Sequence, residues 1–88
     1  MNVQFRHSFS KDLRKIRKKT LLLQIQALIE QVECAESMRE ISNVKQLTAD
    51  GPYYRIRIGD YRIGITVEKD TVTFVRCLHR RDIYRYFP

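Results

Sequence analysis

The spacing of apolar residues changes at Pro52, and this change constrains the fold more than any other feature of the chain. Before Pro52 apolar residues recur every three or four positions, and after it they alternate with polar ones. The first spacing places a stripe on one side of a helix, whereas alternation places one face of a strand against a core. The sequence therefore predicts helices in the first part of the chain and strands in the second.

The N-terminal part is predicted to hold one short strand and two helices. Residues 2–6 alternate as a strand, and Ser8 or Ser10 can cap a first helix after it. A second helix is expected over residues 20–35, followed by a short helical turn and a loop over residues 36–52. The predicted apolar stripes of the two helices are Phe9, Leu13 and Ile16, and Leu21, Ile25, Leu28, Ile29 and Val32.

Two alternating runs after Pro52 are separated by Gly59-Asp60, which predicts a hairpin with a type II′ turn. Counting outward from this turn places Arg57 directly opposite Arg62, on the face away from the core. Like charges in that position are destabilising, whereas an opposite pair could contribute up to ~1 kcal/mol. The pairing therefore indicates that this face binds an anion.

Two further positions on that face support the same hypothesis. Arg55 lies opposite Gly64, where the missing side chain leaves an open patch that a phosphate could approach closely. Tyr53 adds an aromatic ring suited to stacking. The alternative is an ordinary solvated face on which Asp60 and Glu68 relieve the repulsion.

Residues 71–79 are predicted to form a third strand with two possible registers. A two-residue loop at Lys69-Asp70 would place Phe74 in the core and bury Arg76 as well. A loop of residues 69–71 would place Arg76 on the outer face. Since a slip of one residue exchanges the two faces, the registers exclude each other. The second is favoured because it keeps a guanidinium out of the core.

These elements predict a single α+β domain over residues 1–88, in the order β-α-α-β-β-β. Both helices would pack on one face of a twisted antiparallel sheet. Cys34 and Cys77 lie far apart and are expected to be small buried hydrophobes, and no metal or cofactor is expected. No apolar run could span a bilayer and the N-terminus has no export signal, so a cytoplasmic location is expected.

The charge of the chain points to an anionic partner. Seventeen Lys and Arg against ten Asp and Glu give a net charge of +7, spread over both halves. Nucleic acid is the commonest partner of such a surface, followed by anionic membrane and acidic protein, and the chain could also be merely basic. Basic side chains interleaved with aromatic ones, as in HRRDIYRYFP, are suited to single-stranded RNA. The predicted RNA-binding residues are Lys11, Arg14, Lys15, Arg17, Lys18, Lys19, Tyr53, Arg76 and Arg81.

The segments KDLRKI, YYRIRIGDYRIGI and HRRDIY together resemble the RelE/ParE superfamily of bacterial toxin–antitoxin toxins. The resemblance covers nearly the whole chain. It implies a fold similar to small microbial ribonucleases and a cognate RelB-like antitoxin, expected to be acidic. RelE-like members cut mRNA in the ribosomal A site, whereas ParE-like members act on DNA gyrase.

The resemblance also implies which residues form the site. Arg55 and Arg57 stand where RelE-like toxins have two lysines of the catalytic site, and Arg62 matches the arginine of their GYR element. Arg80 matches an arginine near the C-terminus. Tyr84 matches the tyrosine that stacks on a base of the message.

A mechanism follows in which the 2′-OH of the RNA attacks its own phosphate without a metal. The arginines would stabilise the phosphorane charge, but a guanidinium cannot act as a general base. His79 is the one nearby side chain whose ordinary pKa suits proton transfer. The alternatives are a ParE-like toxin that inhibits DNA gyrase by binding, and a catalytically silent antitoxin-binding module.

Overall fold

A computed structural model describes all 88 residues and consists of a five-stranded sheet with two helices packed on one face. The sheet order is β1-β5-β4-β3-β2. None of the helices combines the length and apolar composition needed to cross a membrane. The elements are β1 Asn2–Phe5, α1 His7–Arg14, α2 Lys19–Cys34, a 3₁₀ turn Met38–Glu40, β2 Val44–Gln46, β3 Tyr53–Ile58, β4 Tyr61–Glu68, β5 Thr71–His79 and α3 Ile83–Tyr86.

The α+β class and the placement of both long helices on one face are confirmed, but the sheet is mixed rather than antiparallel. β1 pairs parallel to β5, from the opposite end of the chain. β2 adds a fifth strand in the segment predicted to be a turn and loop, antiparallel to β3. Alternation identifies strands but not their partners, and a three-residue strand is too short to show alternation.

The two helices bury most of the predicted stripes, but Leu13, Ile16 and Ile29 are only partly buried and Ile16 lies beyond the end of α1. Phe9 of α1 and four residues of α2 are buried in the core, namely Leu21, Ile25, Leu28 and Val32. The predicted serine caps are wrong, because α1 begins at His7 and neither end has a side-chain cap. Ser8 instead lies within the helix and its Oγ donates a hydrogen bond to the Val75 carbonyl at 2.6 Å. Its hydroxyl therefore ties α1 to β5.

The hairpin has the predicted register. Arg57 faces Arg62 and Arg55 faces Gly64 across β3 and β4. Gly59 has φ +54°, in the left-handed region that the first turn position of a type II′ turn requires. The site on the outer face is therefore fixed by local turn geometry.

The prediction that only one register of β5 can hold is wrong. Before the bulge the strand follows a two-residue turn, with Phe74 opposite Ile65 in the core. A register shift between Gly64 and Ile65 leaves Val75 without a partner, and Arg76 then faces Gly64 on the outer face. A β-bulge inserts one residue and so exchanges the faces part-way along a strand. Both halves of the strand thereby keep apolar side chains in the core.

The two cysteines differ from each other. Cys77 is buried, as predicted, and burial together with the neighbouring charge of Asp12 raises its pKa to about 12. Cys34 is exposed, which corrects the prediction. It is the last residue of α2 and lies two positions beyond Val32, outside the buried stripe.

Candidate functional site

The outer face of β3 and β4 carries a cluster of arginines that act on one another electrostatically. Burial lowers the pKa of Arg62, and the positive charges of Arg55 and Arg57 lower it further. Arg80 adds a smaller effect of the same sign, while Tyr84 acts in the opposite direction. These five side chains therefore form one group, which we call the arginine cluster.

Asn43 holds two members of the arginine cluster in place. Its carbonyl oxygen accepts a hydrogen bond from Arg55 Nη1 at 3.1 Å, and its Oδ1 accepts one from Arg57 Nη2 at 3.3 Å. Asn43 has φ +63°, in the left-handed region that asparagine tolerates better than most residues. Asn43 is not among the predicted site residues, since its only signal in the sequence is the Ser-Asn pair in a segment interpreted as a loop.

The hairpin turn orients the other two arginines. Arg62 Nη1 donates hydrogen bonds to the carbonyls of Gly59 and Tyr61, at 2.8 and 3.0 Å. The Arg80 backbone N–H donates to the Asp60 carbonyl at 2.7 Å, and the two exposed side chains form an ion pair at 3.8 Å. The turn that fixes the register thus also places Arg62 and Arg80.

Tyr84 stands on the short helix α3 with 59% of its surface exposed. Its hydroxyl accepts a hydrogen bond from Arg55 Nε at 3.3 Å. The helix has a single turn, so neighbouring side chains fix its position: Ile83 is fully buried, and Phe87 packs against the outer face of the sheet. An exposed ring beside the arginines is able to stack on an unpaired base.

The predicted open patch at Gly64 is filled. The Phe87 ring lies over Gly64, so close that an added Cβ would come within 2.7 Å of it. Tyr53 contacts the same ring edge-on, with the centroids 5.8 Å apart. The missing side chain of Gly64 therefore admits an aromatic ring of the protein rather than a phosphate, and Tyr53 is partly used in packing.

His79 lies apart from the arginine cluster. It faces Tyr61 across β4 and β5 and contacts it edge-on at 5.7 Å. Arg62 and Tyr61 are consecutive in a strand, so their side chains point to opposite faces. The His79 Nδ1 accepts hydrogen bonds from the backbone N–H and the Nε of Arg81. The structure thus places His79 on the helix side of the sheet.

Arg76 lies beside Gly64, as predicted, but its guanidinium is directed away from the arginine cluster. Its Nε and Nη2 donate to the two carboxylate oxygens of Asp12, at 2.8 and 3.1 Å. Asp12 is only 4% exposed and also accepts a hydrogen bond from the Cys77 N–H at 2.9 Å. The hydrogen bond to Asp12 raises the pKa of Arg76, against the effect of burial. Asp12 is not among the predicted site residues, because its partners come from the far end of the chain.

The basic residues on and after α1 are solvent-exposed. Apart from the Asp12–Arg76 and Asp60–Arg80 pairs, the structure contains no ion pairs. The exposed basic residues of this segment are Lys11, Arg14, Lys15, Arg17, Lys18 and Lys19. Their charges are thus available to an external partner.

The arginine cluster is suited to binding a phosphate group and stabilising negative charge on it. Guanidinium groups present donors in a geometry that matches phosphate oxygens, and hydrogen bonds to neighbouring groups already hold those of Arg55, Arg57 and Arg62 in place. Their mutual repulsion is relieved when an anion binds. The cluster offers no side chain that ordinarily titrates near neutral pH.

Comparison with known proteins identifies the class to which this fold and site belong. The family model described as "ParE toxin of type II toxin-antitoxin system, parDE" matches residues 3–84. The chain belongs to the RelE/ParE superfamily of toxins of type II toxin–antitoxin systems.

Individual relatives are of the RelE type. The chain is 42% identical to Toxin RelE3 of Methanocaldococcus jannaschii over the full length of both proteins. It is similar to the crystal structure of a RelB-RelE antitoxin-toxin complex from Methanococcus jannaschii, with 39% identity and a TM-score of 0.82 over 97% of this chain and 99% of that one. An archaeal RelE-RelB complex from Pyrococcus horikoshii shares the fold, with a TM-score of 0.71, 23% identity and coverage of 90% and 93%. These relatives are archaeal, so the expected bacterial origin is unsupported.

Proposed function

We propose that this toxin is a ribosome-dependent endoribonuclease that cleaves mRNA in the A site and so inhibits translation. The observation that carries the proposal is the arginine cluster, in which Arg55, Arg57 and Arg62 share one face of the sheet and Arg80 and the exposed Tyr84 lie near enough to affect Arg62 electrostatically. The similarity to a RelE toxin over the full chain supports it.

In the proposed reaction the 2′-oxygen forms a bond to the adjacent phosphorus and the bond from phosphorus to the 5′-oxygen breaks. The 2′ proton passes to water and the departing 5′-oxygen takes a proton from water, so that the products are a 2′,3′-cyclic phosphate and a 5′-hydroxyl. Negative charge builds on the phosphorane oxygens, and Arg57, Arg62 and Arg80 stabilise it. Positioned charges of this kind can account for a large share of catalysis, since removal of a single donor typically slows a reaction about 10²–10³-fold.

Other residues position the RNA rather than move protons. Arg55 orients the Tyr84 hydroxyl, and the exposed Tyr84 ring stacks on a base next to the cleaved bond. Because a guanidinium stays protonated, the arginines do not remove the 2′ proton. His79 has no part in the proposal, since it lies on the opposite face.

The proposed partner in the resting state is an acidic antitoxin of the RelB type. The solved relative from Methanococcus jannaschii is a complex of RelB with RelE. The net charge of +7 and the unpaired basic side chains of α1 favour an acidic partner. Docking on the ribosome would use the same charges against ribosomal RNA.

The test is cleavage of a defined message on programmed ribosomes, with the ends of the products mapped. The wild type is expected to cut within the A-site codon and leave a cyclic phosphate, and Arg62→Ala and Arg80→Ala are expected to be strongly impaired. Arg39→Ala is the matched control, since it removes an exposed arginine from the 3₁₀ turn. If both site variants cleave like the wild type, the assignment of the arginine cluster is wrong.

The second candidate is a ParE-like toxin that inhibits DNA gyrase by binding, and the match to the ParE family model favours it. Replacement of the two expected lysines by Arg55 and Arg57 also favours it, because arginine cannot serve as a base. A supercoiling assay with purified gyrase separates the two candidates. Inhibition of supercoiling without cleavage on ribosomes would establish the second.

A further inference from the structure

A small pocket between α1 and β5 is lined entirely by polar and charged residues. It lies beyond the end of β1, where α1 covers the free edge of β5 through the Ser8 and Asp12 hydrogen bonds. No apolar residue lines it. The lining consists of Ser8, Lys11, Asp12, Lys15 and Arg76.

The pocket carries positive charge that the protein does not neutralise. Lys11 and Lys15 are four residues apart on the same face of α1, a spacing at which like charges destabilise a helix by about 0.2–0.5 kcal/mol. Neither lysine has an acidic partner. Both oxygens of Asp12 are occupied by Arg76, and one of them also by the Cys77 N–H. The pocket therefore suits an anion.

Arg76 gives the pocket a donor whose position is already fixed. Asp12 engages its Nε and Nη2, whereas its Nη1 has no hydrogen-bond partner in the protein. The side chain is 24% exposed, so an external ligand can reach it. A guanidinium already held in place loses little freedom when it binds an anion.

The pocket is close to the arginine cluster. Arg55, Gly64 and Arg76 are register neighbours across β3, β4 and β5. With adjacent strands about 4.8 Å apart, the Cα atoms of Arg55 and Arg76 are about 10 Å apart. The Arg76 guanidinium turns away from the cluster towards Asp12, so the pocket lies beyond this Cα spacing, a separation of a few nucleotides at about 3.4 Å for each stacked nucleotide and more for an extended one.

Tyr86 lies next to the pocket. The Arg76 Cζ is 5.5 Å from the centre of the Tyr86 ring, and 55% of Tyr86 is exposed. Such a ring can stack on a base of an unpaired strand. A positively charged pocket and an exposed aromatic ring thus lie side by side, joined by Arg76.

We propose that this pocket binds a backbone phosphate of single-stranded RNA, a few nucleotides from the phosphate held at the arginine cluster. Lys11, Lys15 and Arg76 bind the phosphate oxygens, and Tyr86 stacks on the adjacent base. The assignment rests on the proposed function, in that the arginine cluster binds RNA. It adds a second contact with the RNA, so the affinity should depend on the length of the RNA.

Binding of short 2′-O-methyl RNAs, which cannot be cleaved, tests the proposal by its dependence on length. A dinucleotide reaches only one of the two sites, whereas a hexanucleotide reaches both. Lys11→Gln/Lys15→Gln is expected to weaken hexanucleotide binding about tenfold and to leave dinucleotide binding unchanged. The salt dependence for the hexanucleotide should fall by about 0.7 in slope, the value for one lost phosphate contact on a single strand.

Arg39→Gln/Lys69→Gln is the matched control, because it removes the same charge from exposed positions that lie outside the pocket and outside the predicted RNA-binding residues. The control should leave both affinities within about twofold of the wild type. Equal losses in the two double variants would show only a general charge effect and would overturn the proposal. Binding of inorganic phosphate in the pocket without any dependence on RNA length would also overturn it.

Two further results separate this proposal from its rivals. If Lys11→Gln/Lys15→Gln weakens binding of the antitoxin and not of the hexanucleotide, the pocket holds an acidic side chain and the proposal is wrong. If the length dependence is found but no cleavage occurs on ribosomes, the pocket assignment stands and the proposed nuclease function fails. Arg62→Ala tests the arginine cluster separately. It should weaken binding of both RNAs, and unchanged binding would show that the arginine cluster does not hold the RNA.

Discussion

Replacing Gly64 by alanine is expected to expel Phe87 from the outer face of the sheet. The added Cβ would lie 2.7 Å from the Phe87 ring, closer than side chains approach one another. The backbone of β4 cannot move away, because β4 is paired on both sides. Phe87 follows the last helix, near the end of the chain, so it is the group that has to move. It is only 3% exposed, so its movement uncovers a buried ring.

The expected loss of stability can be worked from these contacts. Burying a phenylalanine contributes about 1.5–3 kcal/mol, and its edge-on contact with Tyr53 contributes about 0.5–1.5 kcal/mol more. Alanine in a strand recovers about 0.5–1 kcal/mol relative to glycine. Gly64→Ala should therefore lower the free energy of unfolding by about 1–4 kcal/mol.

A double-mutant cycle in urea, followed by circular dichroism, measures whether this is the mechanism. Once Phe87→Ala has removed the ring, Gly64→Ala should cost nothing further and could stabilise the protein slightly. If the two changes were additive, the alanine would act through some other contact and the reasoning would be refuted. Gly64→Ala should also slow cleavage in the ribosome assay, because Phe87 anchors the turn that carries Tyr84.

Three further predictions concern the buried polar groups and the titrating side chains. Asp12→Ala should lower the free energy of unfolding by about 3 kcal/mol in the same urea assay, because it leaves Arg76 and the Cys77 N–H without their acceptor. Asp12→Asn should lower it less. His79→Gln should leave the pH profile of cleavage unchanged between about pH 6 and 8, and loss of an inflection in that variant would instead place His79 in the reaction. The pKa of Cys77 in the folded protein is raised to about 12 from an ordinary value of 9.0. Above about pH 9 the thiol therefore ionises in the unfolded chain but not in the folded one. Its contribution to stability is complete below about pH 9 and declines towards pH 12, by up to about 1.4 kcal/mol per pH unit. The difference in stability between wild type and Cys77→Ala, followed by urea unfolding over that range, should shrink accordingly, and a constant difference would contradict the raised pKa.

Local patterns in the sequence were sufficient to predict the centre of the site. The Gly59-Asp60 turn fixes the pairing of Arg57 with Arg62, since each residue of a hairpin is counted from its turn. The apolar stripes of the two long helices follow from the spacing of three or four residues that a helix requires. Each of these predictions depends only on residues close together in the chain.

Contacts between distant parts of the chain could not be predicted in this way. The parallel pairing of β1 with β5 joins the two ends of the chain, and Asp12 meets Arg76 across 64 residues. At Val75 the bulge lets β5 do two things that one register does not allow. It keeps Phe74 in the core before the bulge, and it directs the Cys77 N–H to the buried Asp12 carboxylate after it. Phe87 covers Gly64 only because the chain turns back after β5. No periodicity carries this information.

The central claim is that the arginine cluster stabilises negative charge on a phosphate in the transition state. The single-turnover rate of message cleavage on programmed ribosomes tests it most directly, with ribosome and toxin concentrations high enough that binding does not limit the rate. The account predicts that Arg62→Ala lowers this rate about 10²–10³-fold while Arg39→Ala leaves it within about twofold. A rate for Arg62→Ala within a few-fold of the wild type would contradict the account.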